Sequence, residues 1–253
     1  PGGGFVFRRD CGTRMQPDIS YSSYRQSHEN PQFSEWLRAT AADNWDRMLD
    51  HRFVAECTAG SIDPAVYQTY LEQELAFVET AAVSLGSAVV NAPSFDEVRR
   101  FAHALYGLVT DQREYFARAF AEFGVDQWTD PDLLPETRHL SDVVSRGSTT
   151  PGYAESLAPM AAAEWLYATW CRRAASEGAV DSGSLVGEWI SLHDDSAFQD
   201  HAAWLRDQLD RVGPTVSPER QRDIAYLFGR TVELEVAFHT APYDATDCRS
   251  PAS

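Results

Sequence analysis

The sequence contains no lysine, and basic residues of any kind are few. All 21 of them are arginine, against 38 aspartates and glutamates, which gives a formal net charge of −17 at pH 7. A surface of this charge repels the phosphates of nucleic acids and anionic lipid headgroups. We therefore expect neither a nucleic acid nor a membrane as a partner. A lysine-free acidic composition is typical of a GC-rich genome or of a protein kept soluble in high salt.

Long apolar runs and paired cysteines are also missing. Charges interrupt the apolar stretches well before the roughly 18 to 20 residues that a membrane span needs, and no segment has the pattern of a secretory signal. Four cysteines stand apart without a C-x-x-C pair, at Cys11, Cys57, Cys171 and Cys248. Neither a zinc knuckle nor a disulfide framework is indicated. We expect a soluble protein of the cytoplasm.

Alternating strand-like patterns bounded by turn signals are absent as well. Between Pro31 and Ala241 the apolar residues recur at helical spacing instead, which predicts an all-α fold. Hydrophobic residues make up 43% of the 253 residues, enough for a large core. We expect one helical domain over residues 31–243, with residues 1–30 as a flexible extension that is partly tag and residues 244–253 as a flexible tail.

Caps and breakers divide this domain into helices. "SIDPAVY" supplies an N-cap aspartate followed by a proline at the first helical position. The predicted helices cover about 31–50, a short segment from His51 to Gly60, 64–90, a segment from "NAPSFDEV" to Gly124, 136–146, the helix of Glu164 up to Gly178, and three more that end near "HTAPY".

Three of these helices place a glutamate on an apolar face, one turn before an aromatic residue. The pairs are Glu164 with Tyr167 in "PMAAAEWLYATW", Glu74 with Phe77, and Glu235 with Phe238. A carboxylate on a buried face is costly unless it is hydrogen-bonded, protonated or awaiting a ligand. The residues alone leave two interpretations open, a shared polar pocket or structural acids that are solvated or bonded to tyrosine.

Four segments in this order resemble the TenA (thiaminase II) family over about residues 35–243. They read "DHRFV", "GSIDPAVYQTYLEQELAFV", "AAAEWLYATW" and "LEVAFH". The resemblance implies a heme-oxygenase-like, TenA-type helical bundle that binds no heme. It also implies an aminopyrimidine aminohydrolase of thiamin salvage, a hydrolase of carbon–nitrogen bonds that forms hydroxymethylpyrimidine. We expect no cofactor and no metal, and a homodimer or homotetramer.

The family's catalytic cysteine falls on Ala163, so that nucleophile is missing. The central helix instead resembles the cysteine-lacking branch of the family, TenA_E, whose glutamate matches Glu164. We expect Glu164 and Glu235 to be the catalytic acid and base, in either order, while Cys171, one turn beyond Tyr167, is a weaker candidate nucleophile. The residues expected to bind the pyrimidine are Glu74, which stands where the family has aspartate, together with Phe77, Tyr70, Tyr167, Phe238 and His193.

Two other functions stay open at this point. Heme-oxygenase-like bundles also hold di-iron oxygenase sites, and Glu164, Glu235 and His239 would form half of one, although neither His51 nor His103 has an acid at suitable spacing for the other half. A protein that binds pyrimidine or thiamin without turnover would keep the pocket and lose the reaction.

Overall fold

The computed structural model describes residues 19–124, 132–150 and 152–249, and within them it contains helices and no strand. The all-α prediction is confirmed. The helices are α1 (Tyr21–Ser27), α2 (Phe33–Thr40), α3 (Ala42–Leu49), α4 (Arg52–Thr58), α5 (Pro64–Asn91), α6 (Phe95–Gly107), α7 (Arg113–Glu122), α8 (Pro135–Thr149), α9 (Tyr153–Glu177), α10 (Leu185–Asp194), α11 (Ser196–Val212) and α12 (Pro218–Arg249).

The long helix α5 begins where its capping signal predicts. The Asp63 side chain accepts a hydrogen bond from the Ala65 backbone N–H at 2.8 Å, and Pro64 occupies the first helical position. Proline costs no hydrogen bond there, because the first N–H groups of a helix have no partner inside it. Gly60 follows α4 with a φ of 64°, a conformation that a residue with a Cβ rarely adopts.

Two predicted helices are interrupted. The segment 31–50 breaks at Ala41, whose φ is −109°. Trp36 and Trp45 are nine residues apart and would point to opposite sides of a straight helix, whereas the break lets both be buried. The segment that ends at Gly124 contains a π-helical turn, Leu108–Gln112, between α6 and α7.

Helices also lie outside the predicted domain limits. Helix α1 falls within the expected extension, and its Tyr21 ring packs 4.9 Å from that of Phe33. Helix α12 continues through Pro242 into the expected tail and ends at Arg249. At the end of the predicted domain, Tyr243 is buried and donates a hydrogen bond to Glu56 at 2.7 Å. Residues 1–18 and 250–253 lie outside the described residues, and with them Cys11, so the division into domains stays a prediction.

Helix α9 is the centre of the bundle. It packs against α5, α8, α10, α11 and α12, and most of its residues from Ala154 to Ala174 are buried. A helix that is apolar on all sides has to be surrounded by others. In the part of the chain that the structure describes, no helix has both the length and the apolar character that crossing a bilayer requires.

Candidate active site

The bundle brings the three glutamates of α5, α9 and α12 together in its interior. Glu74 and Glu235 are buried, with 6% and 1% of their surfaces exposed. The three charges also influence one another, because Glu164 raises the pKa of Glu74, and both raise the pKa of Glu235. The fold therefore places the three carboxyl groups close enough for each charge to act on another.

A small cavity of about 50 Å³ lies between α5, α9, α10 and the π-helical turn. Two of the glutamates, Glu74 and Glu164, form part of its wall. The other lining residues are Phe77, Val78, Ala81, Leu108, Gln112, Ala163, Tyr167, His193 and Phe198. The wall is thus apolar, with a few polar groups that converge on one space, as is usual for small-molecule sites.

Five of the eight predicted site residues line this cavity, namely Glu74, Phe77, Glu164, Tyr167 and His193. The other three lie behind its wall. Phe238 packs against Phe77 with ring centroids 6.1 Å apart, and Tyr70 is hydrogen-bonded to Tyr167. Glu235 lies on α12, one turn before His239.

The Tyr167 hydroxyl joins this second layer to the cavity. It lies 2.8 Å from the Tyr70 hydroxyl, 3.3 Å from Glu74 Oε2 and 3.2 Å from His239 Nε2. On its other side, His239 Nδ1 lies 2.8 Å from the backbone oxygen of Glu235. A continuous chain of polar groups therefore connects Glu74 with the Glu235 residue.

Burial shifts the pKa of each glutamate upward. It raises the pKa of Glu74 to about 7, although hydrogen bonds from Tyr70 and Tyr167 oppose the rise. Burial alone raises the pKa of Glu164 to about 7, and burial with the two neighbouring acids places the pKa of Glu235 well above its ordinary value. Glu74 and Glu164 therefore exchange protons near neutral pH, as acid–base catalysis requires.

Several of these oxygens have no hydrogen-bond partner. Among the described residues, Glu164 Oε2 and both carboxyl oxygens of Glu235 are buried without one. Unpaired buried polar atoms are rare in folded proteins and call for a physical reason, such as a water or a ligand that completes the site. Glu164 faces the cavity, where a water or a ligand would complete its hydrogen bonding.

His193 contributes a neutral acceptor. Its Nδ1 lies 2.8 Å from the Trp189 backbone oxygen, so Nδ1 carries the proton and Nε2 has a free lone pair. Burial lowers the pKa of His193 to about 4, which keeps the ring uncharged at neutral pH. The ring lies between Tyr167 and Phe198, at 5.1 and 4.7 Å between centroids.

Sequence reasoning missed part of the wall. Leu108 and Gln112 come from the π-helical turn, and Phe198 comes from α11. No motif marks them, and the turn itself has no sequence signal in a segment that reads as one helix. His239 was considered only as an iron ligand, whereas the structure places it against Tyr167.

Neither buried cysteine resembles a nucleophile. Cys57 and Cys171 are fully buried, burial raises the pKa of both thiols, and neither lines the cavity. The reactive form of cysteine is the thiolate, which these surroundings disfavour. Within residues 19–124, 132–150 and 152–249, no three histidine, cysteine or acidic side chains are grouped so that they could hold a metal ion.

Comparison with known sequences adds a family to this geometry. The pattern of the TENA/THI-4/PQQC family matches residues 38–245. The chain is 24% identical over 220 residues to the hydroxymethylpyrimidine/phosphomethylpyrimidine kinase THI20 of Saccharomyces cerevisiae, covering 78% of this chain and only 36% of that kinase. It is 22% identical over 220 residues to an aminopyrimidine aminohydrolase of Halalkalibacterium halodurans, covering 84% of this chain and 96% of that enzyme.

Solved structures show the same fold. A TenA family transcription regulator from Silicibacter sp. TM1040 superposes with a TM-score of 0.75 at 22% identity, covering 83% of this chain and 96% of that one. A domain of unknown function with a heme oxygenase-like fold from Shewanella denitrificans superposes with a TM-score of 0.64 at 14% identity, covering 86% and 95%. The prediction of a heme-oxygenase-like, TenA-type bundle is confirmed.

Proposed function

Because the chain belongs to the TENA/THI-4/PQQC family, we propose that it is an aminopyrimidine aminohydrolase of thiamin salvage. In this reaction water replaces the amine on the exocyclic carbon of an aminomethylpyrimidine, and hydroxymethylpyrimidine and ammonia are the products. One observation carries the proposal. Glu74 and Glu164 share the wall of one cavity, each with a pKa of about 7, and none of the described cysteines lines that cavity.

The cavity wall has the chemistry to hold an aminopyrimidine. The Glu74 carboxyl bonds to the amino group and adjacent ring nitrogen, and the rings of Phe77 and Tyr167 offer faces for the pyrimidine. Phe238 and Tyr70 support those rings from behind. A volume of about 50 Å³ holds only a few water molecules. The cavity therefore has to widen to admit the ligand.

Glu164 and Glu235 carry out the acid–base work. Cleavage of the carbon–nitrogen bond needs a proton delivered to the departing amine and a proton taken from the attacking water. Glu164 meets the ligand directly, because it lines the cavity. Glu235 lies behind the wall and acts through its neighbours. With Ala163 at the position of the family's cysteine and Glu164 at the position of the TenA_E glutamate, the chain is similar to the TenA_E branch.

Two further proposals concern the whole protein. We place it in the cytoplasm, since Cys57 and Cys171 are unpaired thiols, as a reducing compartment favours. We also propose a homodimer or homotetramer, because large apolar side chains such as Phe95, Tyr106 and Val90 are exposed by 81%, 65% and 83%.

The test is the release of ammonia from an aminomethylpyrimidine by the purified protein. We expect stoichiometric ammonia and hydroxymethylpyrimidine, identified by mass spectrometry, and the same rate after treatment with a chelator. The matched control is Glu164→Gln, purified in parallel. A contaminating enzyme would release ammonia in both preparations, so the difference between them measures the activity of this protein. Tight binding of the pyrimidine without ammonia release would support the non-catalytic alternative, and oxygen consumption dependent on added iron would support the oxygenase.

A further inference from the structure

Glu235 presents a problem for the proposed reaction. Its carboxyl is fully buried, does not line the cavity, and has no hydrogen-bond partner among the described residues. A general base has to lie within hydrogen-bond reach of the proton that it takes, directly or through an intermediate group. His239 Nδ1 lies 3.6 Å from Glu235 Oε2.

The hydrogen bonds of His239 determine which of its nitrogens carries the proton. The Glu235 backbone oxygen, 2.8 Å from Nδ1, can only accept a hydrogen bond, so Nδ1 is the protonated nitrogen. Burial lowers the pKa of His239 to about 3, so the ring is neutral at pH 7 and Nε2 has a free lone pair. His239 Nε2 is therefore a hydrogen-bond acceptor that faces Tyr167.

The Tyr167 hydroxyl is the group that this lone pair meets. The hydroxyl oxygen lies 3.2 Å from His239 Nε2 and 3.3 Å from Glu74 Oε2. Because the hydroxyl has a single proton, it donates to one of these two acceptors at a time. The Tyr70 hydroxyl lies 2.8 Å from the Tyr167 oxygen. When Tyr167 donates to His239, its oxygen accepts this hydrogen bond from Tyr70 and keeps a second lone pair with which it can accept another proton.

We propose that Tyr167, His239 and Glu235 form a hydroxyl–imidazole–carboxylate chain that acts as the general base, with Glu164 as the general acid. This inference rests on the proposed aminohydrolase function. Tyr167 is the catalytic residue of the chain, since it lines the cavity, whereas His239 and Glu235 are positioning residues that act through it. The arrangement is similar to a catalytic triad, in which an imidazole accepts a hydroxyl proton. Here the Glu235 backbone oxygen, 2.8 Å from Nδ1, orients the ring, and the Glu235 carboxyl lies 3.6 Å from the same nitrogen.

The protons and electrons of the step balance. Tyr167 Oη takes a proton from the attacking water as His239 Nε2 takes the tyrosine proton, and the water oxygen forms its bond to the exocyclic carbon. The carbon–nitrogen bond breaks with its electron pair on nitrogen, which receives the proton of Glu164. When the products leave, the proton on His239 returns through Tyr167 to solvent, and Glu164 regains one from solvent. One water is consumed and one ammonia is released.

Two substitutions at His239 separate proton transfer from simple packing. His239→Phe suits a site between the rings of Phe53 and Phe238, 4.8 and 5.5 Å away, and removes the acceptor. His239→Gln keeps an oxygen that can accept the Tyr167 hydrogen bond but cannot carry the proton. We expect both variants to lower kcat by about 100-fold or more, with KM and the Kd for hydroxymethylpyrimidine within about threefold of the parent.

Thr240→Val is the matched control. Thr240 is the next residue of α12, and its hydroxyl bonds to His51 and to the Val236 backbone, away from Tyr167. We expect this variant to retain the parent kcat. A kcat of His239→Gln within threefold of the parent would overturn the proposal, because a hydrogen bond without proton transfer would then be sufficient.

A measurement independent of turnover tests the hydrogen-bond pattern. In ¹⁵N NMR spectra of the parent protein at pH 7, His239 should be the neutral tautomer with the proton on Nδ1. A proton on Nε2 would overturn the inference whether or not the variants fold. If the parent protein itself releases no ammonia, both the proposed function and the proposed proton transfer through His239 are wrong. If the parent is active and the His239 variants are equally active, only the proposed proton transfer is wrong.

Discussion

At the scale of single residues, Glu74 and Glu164 share a cavity but differ in their partners. The Tyr70 and Tyr167 hydroxyls lie beside Glu74 and lower its pKa, whereas Glu164 has an oxygen with no partner and a pKa raised by burial alone. A carboxyl without donors keeps its proton more readily. This difference suits Glu74 to binding and Glu164 to donating a proton.

Substitution of the glutamates should separate these roles. Glu164→Gln and Glu235→Gln should each lower turnover by roughly two to four orders of magnitude and still bind hydroxymethylpyrimidine, because an amide keeps size and polarity but does not exchange protons. Glu74→Gln should weaken binding as well as rate. Steady-state kinetics and calorimetric titration measure both quantities.

Cys171→Ser is the control for that series and should have nearly the turnover rate of the parent, since the thiol is buried away from the cavity. Loss of activity in Cys171→Ser, together with full activity in Glu164→Gln, would move the nucleophile one turn along α9 and refute the glutamate assignment.

The pKa of Glu164 also predicts how stability changes with pH. The pKa is about 7 in the folded protein against 4.5 ordinarily, so the folded state binds the proton more tightly. The resulting stabilisation is complete below pH 4.5 and is lost as the pH rises through 7, by up to about 3 kcal/mol. Glu164→Gln lacks this effect, and parent and variant should diverge between pH 5 and pH 8 in urea unfolding.

The control for that experiment is Glu177→Gln, at an exposed position on the same helix. The difference in the free energy of unfolding between Glu177→Gln and the parent should be the same at pH 5 and at pH 8. A parent protein that gains stability relative to Glu164→Gln on going from pH 5 to pH 8 would contradict the raised pKa.

At the scale of helices, the position of α9 depends on one close approach. Gly147 of α8 lies against Pro159 of α9, and a Cβ at Gly147 would be 2.6 Å from the proline Cγ. The backbone angles of Gly147 are not of the kind that only glycine adopts, so space alone requires glycine there. The same contact influences the position of Glu164, which follows Pro159 on α9.

Gly147→Ala should therefore destabilise the protein by about 1 to 3 kcal/mol, since overpacking forces the helices apart. Gly86→Ala is a matched control in the interior of α5, because no atom lies within 4 Å of a Cβ at that position. It should stabilise the protein by about 0.5 to 1 kcal/mol through helix propensity. Thermal unfolding of the two variants should shift in opposite directions, and equal shifts would refute the packing argument.

At the scale of the whole molecule, apolar side chains are exposed along one edge. Phe95, Tyr106 and Val109 follow one another at helical spacing on α6 and the π-helical turn, and Val83 and Val90 lie seven residues apart on α5. Helices α5 and α6 pack together. Exposed apolar surface of this kind is typical of an interface between subunits.

Sedimentation should accordingly find a species larger than the monomer at micromolar concentration in both low and high salt. Tyr106→Glu should shift it toward the monomer, because it would place a charge within the apolar edge of an already acidic protein. The exposed Glu177→Gln serves as the control and should leave the assembly unchanged. A parent protein that is monomeric in both salts would contradict the interface.

The sequence by itself determined the helical class and the acid-bearing faces of three helices. Helical periodicity and capping are local properties, so Asp63 and Pro64 predicted the start of α5 correctly. The apolar setting of Glu164 and Glu74 likewise predicted two carboxyl groups that prove to line one cavity. A resemblance over four short segments supplied the family.

Only the tertiary structure decided which of those residues meet. Whether Glu235 reaches the cavity depends on the rotation of α12 against α9, and the contact between His239 and Tyr167 joins residues 72 positions apart. The π-helical turn that carries Gln112 into the wall has no local signal either. Spacing along a helix fixes a face, but the packing of that face against other helices is a property of the whole core.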